Sequence, residues 1–91
     1  MARIDRDAWA DKGPVLVFIA GTVTEAQRAE RALGAAGVDY CLDAEDYVHG
    51  VGPIIGTYRG LGFYVLDGQA SAARQALERA RLRSGIIAAD E

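Results

Sequence analysis

Four side chains able to ligate a metal or move a proton fall within seven residues of one another: Asp43, Glu45, Asp46 and His49. On a helical turn Glu45 and His49, four apart, share a face, and Asp46 and His49, three apart, nearly do. The set is therefore a candidate site for a divalent cation. An imidazole with carboxylates suits a transition metal, and carboxylates alone suit a harder ion. The spacing matches no established metal motif, and acidic runs of this kind are more often solvated loops.

Directly after it come Gly50, Gly52, Gly56 and Gly60, together with Pro53, Tyr58 and Arg59. Glycine N–H groups and a guanidinium offer donors to an anion such as a nucleotide phosphate. His49, Gly50, Gly52, Gly56, Tyr58 and Arg59 are the candidate ligand-binding residues. The run G-x-G-P-x-x-G is not a phosphate loop of the strand-to-helix kind, and glycines with Pro53 also serve simply to turn a long crossover. Cys41 and His49 form a conceivable nucleophile and base, but no oxyanion donor or orienting residue accompanies them, so no catalytic residue is assigned and the chain is read as non-enzymatic. Tyr40, Tyr47, Tyr58 and Tyr64 gather around the same stretch, where amphipathic rings suit an interface or a packed rim.

The flanking chain must position this stretch. Residues 14–20, PVLVFIA, are a continuous apolar run with Pro at its start, the pattern of a central strand. Strict alternation puts Val15, Val17 and Ile19 on one face and Leu16 and Phe18 on the other. Thr22 with Glu25, or Thr24 with Gln27, has the spacing of a capping box that opens a helix. Val23, Ala26, Ala29, Leu33 and Ala36 form its inward stripe, Gln27, Arg28, Glu30 and Arg31 lie outward, and Gly37 ends it. So alanine-rich a stripe requires close approach to the sheet, and a large residue at Ala29 would overpack by about 1–3 kcal/mol.

Residues 38–43 alternate, Val38, Tyr40 and Leu42 against Asp39, Cys41 and Asp43, as a half-solvated edge strand does. Residues 61–66 are a second central strand. A second helix runs over residues 70–83, with Ala73, Ala76, Leu77 and Ala80 inward, Arg74, Glu78 and Arg81 outward, and Gly85 as its stop. Ile86, Ile87 and Ala88 suffice for a short edge strand. The order predicts an α+β, ferredoxin-like βαβ-βαβ fold: a four-stranded antiparallel sheet with two helices on one face, and residues 43–60 as the crossover between halves. Residues 1–13 form an N-terminal arm or single helical turn with Trp9 as its anchor, residues 14–88 the domain, and residues 89–91 a tail.

The net charge of −3 lacks the concentrated basic face of a nucleic-acid module. Arg74, Arg79, Arg81 and Arg83 are read as complements to a helix dipole. One cysteine cannot make an internal disulfide, and with no apolar leader or membrane-length run the expectation is a cytoplasmic protein that engages neither membrane nor nucleic acid. Both faces of the central strands are apolar while helices cover only one. Association of identical chains through the open sheet face is therefore expected, with the Trp9 arm as the alternative cover.

Gly21-Thr22 through Glu25-Ala26, then Ala29-Glu30-Arg31-Ala32-Leu33 and Ala36-Gly37-Val38, resemble the signature of a family described as prokaryotic signal-transducing proteins, similar in fold to PII-type regulators. The resemblance covers about residues 15–83. It implies a non-catalytic regulatory or interaction module whose central loop meets a nucleotide, another small anion or a protein partner; the basic residues of PII-type sites have no counterparts assignable here. A weaker resemblance, to selenium or sulfur carrier-like proteins, implies a Cys-Gly pair in the central loop. Residues 50–52 read Gly-Val-Gly, so carrier chemistry is not expected. No cofactor follows from either resemblance.

Overall fold

The computed structural model describes residues 3, 4, 6–9, 11–49 and 56–87, with residues 6, 45–49, 56–59 and 84 described through their backbone. Five regular elements follow in order: β1 (Val15–Ala20), α1 (Val23–Ala35), β2 (Cys41–His49), β3 (Gly56–Val65) and α2 (Ala70–Arg79). Short 3-10 turns stand at Arg6–Trp9, Asp67–Gln69 and Arg83–Gly85. The fold is α+β, with a three-stranded antiparallel sheet in the order β1-β3-β2 and two helices.

β1 does not keep strict alternation. Val15 pairs with Val65 and Leu16 with Tyr64, but the next pair is Phe18 with Phe63, so Val17 is an extra residue in a bulge. A bulge sets two residues against one and reverses the parity beyond it. Val17 and Phe18 are therefore both buried in the helix-side core, and Leu16 and Phe18 lie on opposite faces rather than together. The core under the helices joins Phe18, Phe63, Val65, Val38 and Tyr40 of the sheet layer to Ala29, Leu33, Ala73 and Leu77. Ala29 is fully buried, as the close approach of α1 requires. The face away from the helices carries the row Leu16, Tyr64 and Cys41 and, beyond it, Ile19, Gly62 and Asp43.

Thr22 resolves the two capping alternatives. Its Oγ1 accepts from the Glu25 N–H (3.1 Å), while the Glu25 carboxylate accepts from the Gly21 N–H (3.2 Å) and from the Thr22 hydroxyl (3.3 Å). At the far end Gly37 takes φ +71, and the Val38 N–H reaches the Leu33 carbonyl while that of Gly37 reaches Gly34. This pair of hydrogen bonds closes a helix through a left-handed residue.

The same closure ends α2 at Arg79, earlier than its periodicity predicts. Leu82 N–H bonds the Leu77 carbonyl and Arg81 N–H that of Glu78, with Arg81 at φ 62. Burial of Leu82 holds the turn; Arg79 lies in the last turn, and Arg28 of α1 donates to the Ala80 carbonyl at 2.6 Å, so a cation from the neighbouring helix joins it there. A side chain at a left-handed position is strained where glycine is not. Arg81→Gly is accordingly expected to stabilise the chain by about 0.5–1 kcal/mol, read as a rise of roughly 2–8 °C in Tm. An unchanged or lower Tm would contradict the strain.

Gly85 is not the stop of α2. It closes the last 3-10 turn, where a Cβ would lie 2.5 Å from a Phe18 ring carbon and 2.6 Å from the Ile19 carbonyl oxygen. That approach lets Ile86 bridge Phe18 in antiparallel sense and the Ile87 N–H bond the Val17 carbonyl at 2.9 Å. Arg74, half-buried rather than turned outward, donates to the Ile87 carbonyl at 2.8 Å. Pairing here amounts to an isolated bridge; a fourth strand is not formed among the described residues, and Ala88 lies outside them.

Candidate functional site

The stretch that holds the candidate residues is not a crossover. Residues 41–49 and 56–64 form one antiparallel ladder, pairing Cys41 with Tyr64 at one end and His49 with Gly56 at the other. β2 thus extends six residues past Asp43, where the edge strand was expected to end, and β3 begins at Gly56 rather than at Leu61. β1 pairs only with residues 61–65 of β3. Over residues 45–49 and 56–60 the two strands therefore have only each other as ladder partners among the described residues, and they form a two-stranded ribbon continuing the sheet.

This geometry changes the candidate metal set. Asp43, Glu45, Asp46 and His49 are strung along a strand, not wound into a turn. At a rise of about 3.4 Å per residue, positions 45 and 49 are some 13 Å apart along the backbone, whereas on a helix they would be neighbours. The period of two assigns positions 43, 45 and 49 to one face of the ladder and 46 to the other. Among the described side chains no three His, Cys, Asp or Glu come together as a metal site.

Register brings different pairs together. Asp46 is the cross-strand partner of Arg59, Tyr47 of Tyr58 and Glu45 of Gly60. Of the candidate ligand-binding residues, His49 and Gly56 form the last pair of the ladder and Tyr58 and Arg59 lie on β3; Gly50 and Gly52 fall outside the described residues. Tyr40 and Tyr64 belong to opposite faces of the sheet, Tyr40 toward the helices and Tyr64 away from them. Cys41 is fully buried, so the pairing with His49 as nucleophile and base finds no support: the two stand at opposite ends of β2.

A second constellation has no signal in the sequence, because its members are 10 and 27 residues apart. Glu30 is not an outward residue of α1. Its Oε1 accepts from Arg3 Nη2 (2.6 Å), from Arg3 Nε (3.2 Å) and from the Tyr40 hydroxyl (2.9 Å). Beside it the Ile4 N–H bonds the Tyr40 carbonyl at 2.7 Å, and Arg3 bridges Tyr40 in parallel sense. Burial, then the bond to Glu30, pushes Tyr40 up from 10.0 to about 12, and the same carboxylate raises the Arg3 guanidinium.

A raised folded pKa stabilises the neutral phenol, so its contribution is whole below about pH 10 and is lost as pH climbs through about 12. Over that interval the native chain should lose stability relative to Tyr40→Phe in urea unfolding at stepped pH. Parallel curves for the two proteins would contradict the shift.

The fold and ladder define an α+β protein carrying a long antiparallel ribbon. No protein-family model, curated protein or solved structure matches the chain.

Proposed function

We propose that the chain is a non-catalytic regulatory or interaction module of ferredoxin-like architecture, in which the β2–β3 ribbon and the residues joining its strands meet a small anionic ligand, a nucleotide foremost. To this reading belongs a fourth strand along the free side of β1, which the sequence places at residues 86–88. The bridge from Phe18 to Ile86 and the bond from Ile87 to Val17 support that strand. The resemblance of residues 21–38 to prokaryotic signal-transducing proteins supports the regulatory reading.

The observation that carries the function is the ribbon itself. A two-stranded ribbon is marginal in water, yet residues 45–49 and 56–60 pair as one that β1 does not join. The candidate donors are His49, Gly50, Gly52 and Gly56, of which Gly50 and Gly52 lie outside the described residues, with Tyr58 and Arg59 on β3. Copies associate through the face of Leu16, Ile19 and Tyr64, in the cytoplasm. The metal reading of Asp43, Glu45, Asp46 and His49 gains nothing from the strand geometry.

Ligand binding raises Tm by mass action, about 2.7 kcal/mol of stabilisation at a hundredfold excess over Kd. Thermal melts with ATP, ADP and inorganic phosphate should show a rise in the native chain that is lost in Arg59→Ala. If no nucleotide moves the native Tm, the ligand-binding function fails. A rise with Zn²⁺ that disappears in His49→Ala would favour the metal reading instead.

A further inference from the structure

Ala29, Leu33, Ala73 and Leu77 turn the inner faces of the helices to the sheet, and what they leave outside is a groove. Two adjoining hollows of about 300 and 280 Å³ share Ala32 and Ala35 of α1 and Ala80 at the end of α2. Ala36, Ala76 and Arg79 complete the first, Arg28 and Arg31 the second. The floor therefore presents methyl groups and helix backbone, and the polar side chains lining it are arginines. Ala35 and Ala36 are exposed and Ala32 and Ala80 half-buried, so the hollows open to solvent.

The arginines stand out in a chain whose formal charge is −3. α1 has no cation in its last turn, so Arg28 and Arg31 are not complements to its own carbonyls. Arg28 instead crosses to the Ala80 carbonyl, and that bond ties the two helices together at the groove. Walls fixed before a ligand arrives lower the cost of binding it. A guanidinium has further donors in a fixed fork, so one bond positions Arg28 without exhausting it. The carboxylates of the same helices lie elsewhere. Glu25 closes the cap at Gly21 and Thr22, Glu30 receives Arg3 and Tyr40, and Glu78 is exposed on α2 without lining either hollow.

We infer that this groove docks an acidic amphipathic helix of a partner protein. Small apolar side chains of the partner lie on the alanine floor, and carboxylates along its flanks meet Arg28 and Arg31 on one wall and Arg79 on the other, in the fork geometry that guanidinium and carboxylate share. Hollows this open bury too little of a small molecule to retain one, since such sites enclose most of their ligand. A helix laid in a groove spreads its contacts over several turns, and alanines in the floor allow close approach of its backbone. None of the residues assigned above to the anion site of the ribbon takes part, so this inference stands or falls apart from that one.

The test uses the full chain and a stapled, fluorescein-labelled amphipathic helix with alanine along one face and glutamate on both flanks, titrated by anisotropy at low salt. The same peptide with lysine for glutamate is the charge control. The native chain should bind the glutamate peptide, and bind the lysine peptide at least about tenfold more weakly. Arg31→Gln combined with Arg79→Gln, both at exposed positions, should weaken binding about threefold to tenfold while Tm and far-UV ellipticity hold. Ala35→Gln, which raises a long side chain from the exposed floor, should weaken it by a similar factor. Native affinity in Ala35→Gln would place the peptide outside the groove and overturn the docking. So would equal affinity for the two peptides, or no change in anisotropy at high micromolar chain. Tighter binding of a labelled oligodeoxythymidine than of the glutamate peptide would assign the arginines to nucleic acid and overturn the inference as well.

Discussion

Gly85→Ala is expected to lower Tm by some 10–20 °C, from a destabilisation of about 2–3 kcal/mol. The added carbon would stand 2.6 Å from the Ile19 carbonyl oxygen and within 3 Å of two carbons of the Phe18 ring. A ring can turn, but a backbone carbonyl inside a ladder cannot yield without breaking the pairing of Ile19 with Gly62. The remaining relief is for residues 83–87 to lift from β1. That forfeits the Phe18–Ile86 bridge, the Ile87–Val17 bond and the hydrogen bond from Arg74. Thermal melts followed by far-UV ellipticity check the magnitude. Amide exchange at Ile87 checks the route, since lifting the segment exposes that N–H before the core opens. A Tm within a degree or two of the native chain would mean that the close approach is not tight.

Phe63→Ala should cost about 3–5 kcal/mol. Phe63 sits on the middle strand with no exposure, edge-on to Phe18 at 5.7 Å between ring centres and tilted against Tyr40 at 5.5 Å. Aromatic pairs of this geometry add to the burial itself. Removing the ring also strips Tyr40 of the neighbour that packs it beside Glu30, so the loss should reach the contacts of Arg3, Glu30 and Tyr40. A domain of this size has about 5–14 kcal/mol in all, which makes the variant partly unfolded at physiological temperature. Urea unfolding gives the number, and Phe63→Leu, which keeps most of the volume, should recover more than half of it. A loss below about 1 kcal/mol for the alanine variant would contradict the central place of this ring.

The elements that bury one side against others left a clear trace in the residue order. The uninterrupted run of β1, the inward positions Ala29 and Leu33 of α1, a capping box at its start and Gly37 at its end are legible because each is a local choice repeated by its neighbours, whereas Val23 and Ala36, expected on the same stripe, are exposed and the choice of Thr22 over Thr24 came from the structure. The ribbon was not legible. Residues 45–49 and 56–60 lie in strands without the apolar alternation that marks a half-buried one, so Glu45, Asp46 and His49 read as a loop and the glycines as a turn. Their pairing comes from the ladder already begun at Cys41 and Tyr64, which continues outward once the register is set. The bulge at Val17 was equally hidden, since an extra valine in an apolar run looks like one more strand residue.

The sequence by itself determined the α+β class, the succession of three strands and two helices and the helix faces built on Ala29, Leu33, Ala73 and Leu77, because those depend on periodicity and on short capping signals, while the expected fourth strand is not formed among the described residues. Only the tertiary structure decided that Asp46 stands opposite Arg59 and that Glu45 and His49 do not come together. It also decided that Glu30 receives Arg3 and Tyr40, and that Gly85 is small for the sake of Phe18. Each of these joins residues distant in the chain or turns on one unit of register, and neither is encoded in local spacing. The physical reason is that a side chain's own neighbours set its backbone conformation, whereas its partners are set by how whole elements pack.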